Sequence, residues 1–268
     1  MKSPLLPLLL GGLLWACGAV AQHSPAIPGP VDAFTTDEMG NIYVLRGDEL
    51  SLYDPSGTAR IRNSAKTFGR ISSIDAFYSL KPLIFSREQG QLAVLDNTLA
   101  VQGSVLNLPR NGYPQVVLAC ASVQNGFWFF DQQELQLIRV DAQLRKLADT
   151  GRIDQLLGLT PAPVAMQEHD SRLYVNDPAH GLLVFDLFGT YVRTIPLTNI
   201  TCFEVRGDSI HYLQDGAIQI YDMRSFATDT LTIPDALRTD MLGFRIERGR
   251  LYVHTPTGIA LHQLHTPR

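Results

Sequence analysis

Five short alternating segments of this chain each end in an apolar residue followed by aspartate: Leu52-Tyr53-Asp54, Val94-Leu95-Asp96, Arg139-Val140-Asp141, Val184-Phe185-Asp186 and Ile220-Tyr221-Asp222. Successive aspartates lie 42, 45, 45 and 36 residues apart, close to the period of one propeller blade, about 40–50 residues. One blade cannot bury its own apolar faces, so a repeat of this length has to be packed against its neighbours in a ring. The aspartate has a mechanical use as well. At the end of a strand its carboxylate bonds its own backbone and starts a tight turn. Asp54-Pro55-Ser56-Gly57 adds proline and glycine at turn-compatible positions.

Each aspartate closes the second member of a pair of alternating, β-branched or aromatic segments joined by a short polar turn. The pairs are residues 41–45 with 49–54, 82–86 with 91–96, 127–130 with 135–141, 172–176 with 182–186, 209–213 with 217–222, and a sixth, 250–254 with 258–264. Another apolar segment precedes each pair (31–35, 71–77, 116–123, 163–167, 200–205, 242–247). A further one follows the first five (58–62, 101–106, 144–148, 191–197, 228–233). Four strands per unit and six units predict an all-β fold, a six-bladed β-propeller of four-stranded antiparallel blades. Helix is expected for at most two turns within 152–159, around Ile153, Leu156 and Leu157. The sixth pair ends in His262-Gln263 instead of aspartate, close to the end of the sequence. Its outer strand comes from residues 22–30, bringing the chain ends together, or the last blade has three strands. Pro25, Pro28 and Pro30 suit an edge position.

The segment Asp37-Glu38-Met39-Gly40-Asn41-Ile42-Tyr43-Val44 with Leu52-Tyr53-Asp54-Pro55-Ser56-Gly57 resembles one NHL-type repeat. Leu173-Tyr174-Val175-Asn176-Asp177 through His180-Gly181-Leu182-Leu183-Val184-Phe185-Asp186 resembles a second. The other four units match in outline, and the second lacks the glycine-asparagine turn. The resemblance to NHL-type, TolB-like six-bladed propellers implies the fold over nearly the whole chain after residue 21. Similar propellers serve as protein-binding platforms, sugar-lactone hydrolases and lyases.

Residues 1–21 read as a signal peptide: Lys2, an apolar run from Leu5 to Trp15, and Ala19-Val20-Ala21 ahead of Gln22. Residues 22–268 are then one propeller domain. The run is shorter than the about 20 residues a spanning helix needs, so an exported, periplasmic or secreted protein without a transmembrane segment is expected. Leu14-Trp15-Ala16-Cys17 also resembles a lipobox, in which Cys17 is lipidated and anchors the same domain to a membrane. The net charge of −4 and the absence of a lysine or arginine run argue against nucleic acid. Cys120 and Cys202 fall in non-neighbouring blades, which predicts two buried thiols and no disulfide.

In a propeller, the turns between strands two and three share a face with the connections between blades, and ligands usually bind there. Three connections are long (107–115, 151–162, 235–240), and the first carries Arg110 and Tyr113 as candidate contacts. The first strands line the channel, which makes Asp75, Glu204, Arg245 and Glu247 candidates, with His169 at the end of its segment. Asp75 and Glu204 could contribute to one divalent cation, as a lactonase-like site requires. Mutually satisfied charges around water are the other reading, with Glu204 and Arg245 neutralising one another. The histidines are scattered, and nucleophile-elbow, phosphate-loop and paired-cysteine motifs are absent from the sequence. Arg46-Gly47-Asp48 and Arg206-Gly207-Asp208 read as strand turns. No residue is assigned a catalytic role and no cofactor is required. The expectation is a cell-envelope module that binds a protein partner or a small ligand over the channel mouth. The alternatives are a metal-dependent lactonase- or lyase-like enzyme and a structural component of an outer-membrane assembly.

Overall fold

A computed structural model describes residues 26–76 and 81–264. The expected signal peptide, Cys17, Phe77 and residues 265–268 lie outside the described residues. The chain forms six four-stranded antiparallel sheets, each with its strands in sequence order from channel to rim, except for one exchange of strands at the ring's seam. Blade 1 comprises Ala33–Thr36, Ile42–Arg46, Glu49–Tyr53 and Ala59–Ser64. Blade 2 comprises Ser73–Asp75, Leu83–Ser86, Gln91–Val94 and Leu106–Asn107. Blade 3 comprises Val116–Ser122, Gly126–Asp131, Gln136–Val140 and Lys146–Asp149. Blade 4 comprises Ala165–His169, Arg172–Asp177, Gly181–Asp186 and Tyr191–Ile195. Blade 5 comprises Cys202–Arg206, Ser209–Gln214, Ala217–Asp222 and Thr228–Thr230. Blade 6 comprises Gly243–Glu247, Arg250–Thr255 and Gly258–Gln263, with Ile27–Pro28 as its outer strand.

The apolar–aspartate pattern does what its chemistry suggests. Oδ1 of Asp54 accepts from the amides of Ser56 and Thr58. The same two-bond turn recurs from Asp96 to Thr98 and Ala100, from Asp141 to Gln143 and Arg145, and from Asp186 to Phe188 and Thr190. Asp222 takes Arg224 and Ser225 instead. Each of these carboxylates organises the turn from the third strand to the fourth. The apolar neighbour joins a cluster shared between blades: Tyr53 with Tyr252 of blade 6, Leu95 with Tyr43 and Leu45 of blade 1, Val140 with Leu83 and Phe85 of blade 2, Phe185 with Trp128 of blade 3. Burying a side chain of this size is worth about 1.5–3 kcal/mol, repeated around the ring.

Among the described residues blade 6 has no such turn, in keeping with the missing sixth aspartate. Its fourth strand arrives from the other end of the chain, with Ile27 opposite Ile259 and Pro28 opposite Gly258. Pro28 occupies a sheet edge, where a missing N–H costs nothing. Arg46 holds the approach to this clasp by donating to the carbonyls of Pro28 and Pro30. Across the same seam Tyr252 donates to the Gly40 carbonyl, Arg250 to Pro55, Arg248 to Glu38, and His254 Nε2 to Val31.

Two strands of blade 2 differ from the sequence expectation. The outer strand of blade 2 is interrupted: Val101 makes an isolated bridge to Leu95, and pairing resumes at Leu106. Its inner strand covers three residues. The helix in the third connection is Ile153–Leu157, as the pattern predicts, and the other two long connections carry 3-10 turns at Pro109–Asn111 and Asp235–Leu237. Among the described residues no helix is long and apolar enough to cross a membrane.

Gly258 is fixed by the clasp. It has φ of 140°, and a Cβ there would lie 2.2 Å from the Ile27 carbonyl oxygen. Gly181 stands in the same relation to Ile195 in blade 4, at 2.4 Å. Gly258→Ala is therefore expected to cost about 1–3 kcal/mol or more and to loosen the N-terminal strand. Equilibrium unfolding combined with amide exchange at Ile27 checks this, and an unchanged midpoint would show that the clasp bears no load.

Candidate functional site

An inner strand has one edge paired in its own blade and one edge facing the channel. Backbone N–H groups on that free edge need acceptors. Here the preceding blade supplies them as side chains. Ala121 N–H donates to Asp75 Oδ2 at 2.8 Å, Val205 N–H to Gln167 Oε1 at 3.0 Å, and Ile246 N–H to Glu204 Oε2 at 2.9 Å. The Glu168 amide donates to the Cys120 thiol. Register places all four side chains at one equivalent position, across the sheet from Leu83, Tyr174, His211 and Trp128. Thr35 opposite Tyr43 and Arg245 opposite Tyr252 complete the six.

This belt reassigns most of the sequence candidates. Asp75 and Arg245 line the central cavity, as expected. Glu204 and Glu247 turn away from it into the junction of blades 5 and 6, where both are buried. There Arg206 Nη1 lies 2.8 Å from Glu204 Oε1 and 3.2 Å from Glu247 Oε2, and also donates to the Ile246 carbonyl. Glu204 makes its direct ion pair with Arg206, while the Arg245 charge exerts the larger Coulombic pull on its carboxyl. Burial pushes the Glu204 carboxyl above its ordinary value against the pull of both arginines. His169 Nε2 accepts from Gly207 N–H at 3.0 Å, which ties blade 4 to the first turn of blade 5. Tyr113 donates to the Leu144 carbonyl and packs edge-on against Phe129, pinning its connection in place. Arg110 is exposed on its 3-10 turn.

Both Arg-Gly-Asp sequences are strand turns, and each arginine is consumed inside the fold. Cys120 and Cys202 are free thiols, and burial raises both above the ordinary thiol value. Among the described residues no group of three histidine, cysteine, aspartate or glutamate side chains gathers in a metal-binding arrangement. Asp75 and Glu204 in particular face different spaces.

A second acidic anchor went unnoticed in the sequence. Glu168 is 1% exposed and accepts from Ser122 Oγ at 2.6 Å, Trp128 Nε1 at 2.7 Å and the Val123 amide at 3.0 Å. Ser122 Oγ in turn accepts from Arg139 Nε. The glutamate before His169 gave no local signal, because its partners lie in the preceding blade, 40 to 46 residues earlier.

The channel cavity is about 180 Å³ and touches the inner strands of all six blades. A larger cleft of about 690 Å³ opens between blades 2 and 3, floored by Leu83, Val94, Leu106 and Phe127, with Gln102 and Gln124 among its polar walls. It lies beside the 3-10 turn Val123–Asn125 and the Asp141 turn, so it belongs to the face opposite the long connections. The interrupted outer strand of blade 2 creates it: Gln102 still bonds the Val94 carbonyl, then Gly103 and Ser104 leave the sheet.

No family model and no curated protein matches the sequence. Solved structures match in fold. A streptogramin B lyase superposes with a TM-score of 0.59 at 13% identity, covering 89% of this chain and 94% of its own. A chain of the mitotic checkpoint complex gives 0.56 at 12% identity, covering 88% and 75%. PorZ, a bacterial surface component of the type-IX secretion system of Porphyromonas gingivalis, gives 0.53 at 16% identity, covering 92% of this chain and 39% of PorZ. These likenesses establish a β-propeller and nothing finer.

The buried histidines give the molecule a defined acid response. Burial, with help from Arg206, lowers His211 from 6.5 to about 4, and burial lowers His169 and His254 as well. Between about pH 6.5 and 4 the unfolded chain holds a proton at His211 that the folded chain does not. Stability therefore rises with pH across this window and is lost as pH falls through it. For His211 alone the loss is on the order of 3 kcal/mol. The turn aspartates act lower down. Bonds from Ser56 and Thr58 hold Asp54 at about 2, so its contribution persists above the ordinary value of 3.8 and disappears towards pH 2. Thermal unfolding from pH 7.5 to 2 should fall in these two stages. His211→Gln should flatten the upper stage and spare the lower, and a variant profile parallel to wild type from pH 6.5 to 4 refutes the assignment.

Proposed function

We propose that this chain is an exported, NHL-like propeller that works in the cell envelope as a binding or scaffold module, holding a protein partner at the cleft between blades 2 and 3. The observation that carries this reading is the cleft, an opening of about 690 Å³ with an apolar floor and a polar rim. Mixed walls of this kind suit recognition. The disposition of the buried and half-buried polar groups supports it too. Asp75, Glu168, His169, Gln167 and Glu204 each accept a hydrogen bond that joins two blades, which is structural work and not acid–base chemistry. At the level of fold, propellers occur in the mitotic checkpoint complex and in the type-IX secretion component named above.

The lyase neighbour motivates a second reading, an enzyme with a divalent cation at the channel. The donors fit it poorly, since Glu204 is turned into a blade junction and already serves Arg206 and Ile246. Metal content after gentle purification decides between the two. One equivalent of a divalent cation that is lost in Asp75→Asn would replace the binding reading.

The direct test is in-cell cross-linking followed by purification from envelope fractions. Wild type should carry a discrete partner, and Ala142→Arg, which crowds the cleft mouth at an exposed turn, should lose it without a change in melting temperature. A wild-type protein that runs alone, or a partner retained by the variant, counts against the proposal.

A further inference from the structure

The belt around the channel is interrupted on both sides of blade 1: the four bonds run from blade 2 to blade 6, and neither Arg245 nor Thr35 continues them. From blade 2 to blade 6, the equivalent side chain of each blade accepts from the next blade's edge amide. At the step from blade 6 to blade 1 that position is Arg245, and the amide it should serve is Thr36 N–H. A guanidinium has five donors and no acceptor. Thr35, the equivalent residue of blade 1, also lines the cavity. Among the described residues neither the Arg245 guanidinium nor the Thr35 hydroxyl makes a hydrogen bond within the protein. The Arg245 guanidinium and the Thr35 hydroxyl therefore line one cavity of about 180 Å³, and Thr36 N–H is the edge amide that the pattern of the belt leaves to Arg245.

We propose that the channel holds a small carboxylate in this cavity, its two oxygens taken by Arg245 with support from Thr35 Oγ1 and Thr36 N–H. Guanidinium and carboxylate are planar and match as a fork, and the ligand supplies the acceptor that blade 6 lacks. The surroundings limit its charge and size. Glu204 and Glu247 are already shared by Arg206, and Asp75 lies on the same cavity. A second negative charge on the ligand would face repulsion, so monocarboxylates are selected over phosphate and dicarboxylates. The volume corresponds to about six waters at roughly 30 Å³ each, enough for a molecule the size of propionate or alanine and too small for a peptide strand. Whether the rest of the ligand is neutral or carries an ammonium group separates a simple acid from an amino acid.

Calorimetric titration and thermal unfolding of the mature protein at pH 7.5 and constant ionic strength test this. The probes are propionate and alanine, with sulfate and succinate as controls. A saturable response to either monocarboxylate supports the site, and the stronger of the two names the class. Arg245→Gln supplies the missing acceptor, as Gln167 does in blade 4. It should keep or raise the melting temperature and weaken binding by about a hundredfold or more. Thr35→Val should weaken binding by about tenfold. The site is refuted by no response to either probe, by an equal response to sulfate, or by binding that survives in Arg245→Gln.

Discussion

The structure depends on a problem common to closed rings of sheets: six inner strands each present an unpaired backbone edge to the same narrow channel. Water in so small a space cannot serve them all, and unsatisfied buried amides cost about 1–3 kcal/mol each. This chain answers with a rotary chain of side-chain acceptors. Asp75, Cys120, Gln167 and Glu204 each reach into the following blade. The chemistry varies from carboxylate to thiol to amide, while the position does not. Each bond also sets how far one blade is rotated against the next, so the same contacts that satisfy the edge hold the ring's geometry.

Much of the architecture was legible because it rests on local chemistry that repeats. The turn aspartates act on amides two and four residues away, and alternation marks each buried strand. The absence of a sixth aspartate already hinted at a closing blade built differently. The belt was harder to see. Its donors and acceptors are separated by 38 to 48 residues, and a sequence does not say towards which junction a side chain turns. Asp75 and Glu204 look alike on paper. One lines the channel, and the other is enclosed with Arg206. Glu168 was invisible for the same reason, as was the cleft, which exists because the outer strand of blade 2 leaves its sheet at Gly103.

Irregularity is concentrated where recognition is proposed. Blades 3, 4 and 5 have complete belts and well-paired strands. Blade 2 has the shortest inner strand and the broken outer one, and it borders the cleft. Blade 6 substitutes a cation for an acceptor, and that cation lines the channel cavity. In a repeat protein the regular units hold the frame, and departures from the repeat are where a partner can be read.

The seam of the ring has a mechanical meaning. Ile27–Pro28 is a two-residue strand lying along Gly258 and Ile259, and it ties the first part of the chain to the last blade. A pull on the chain ahead of Ile27 would load this short ladder before any other strand of the propeller. The Arg46 contacts to Pro28 and Pro30 would share that load. The ring would then open at its seam and leave five intact blades, so tension on the leading end would act as a release for the whole circle.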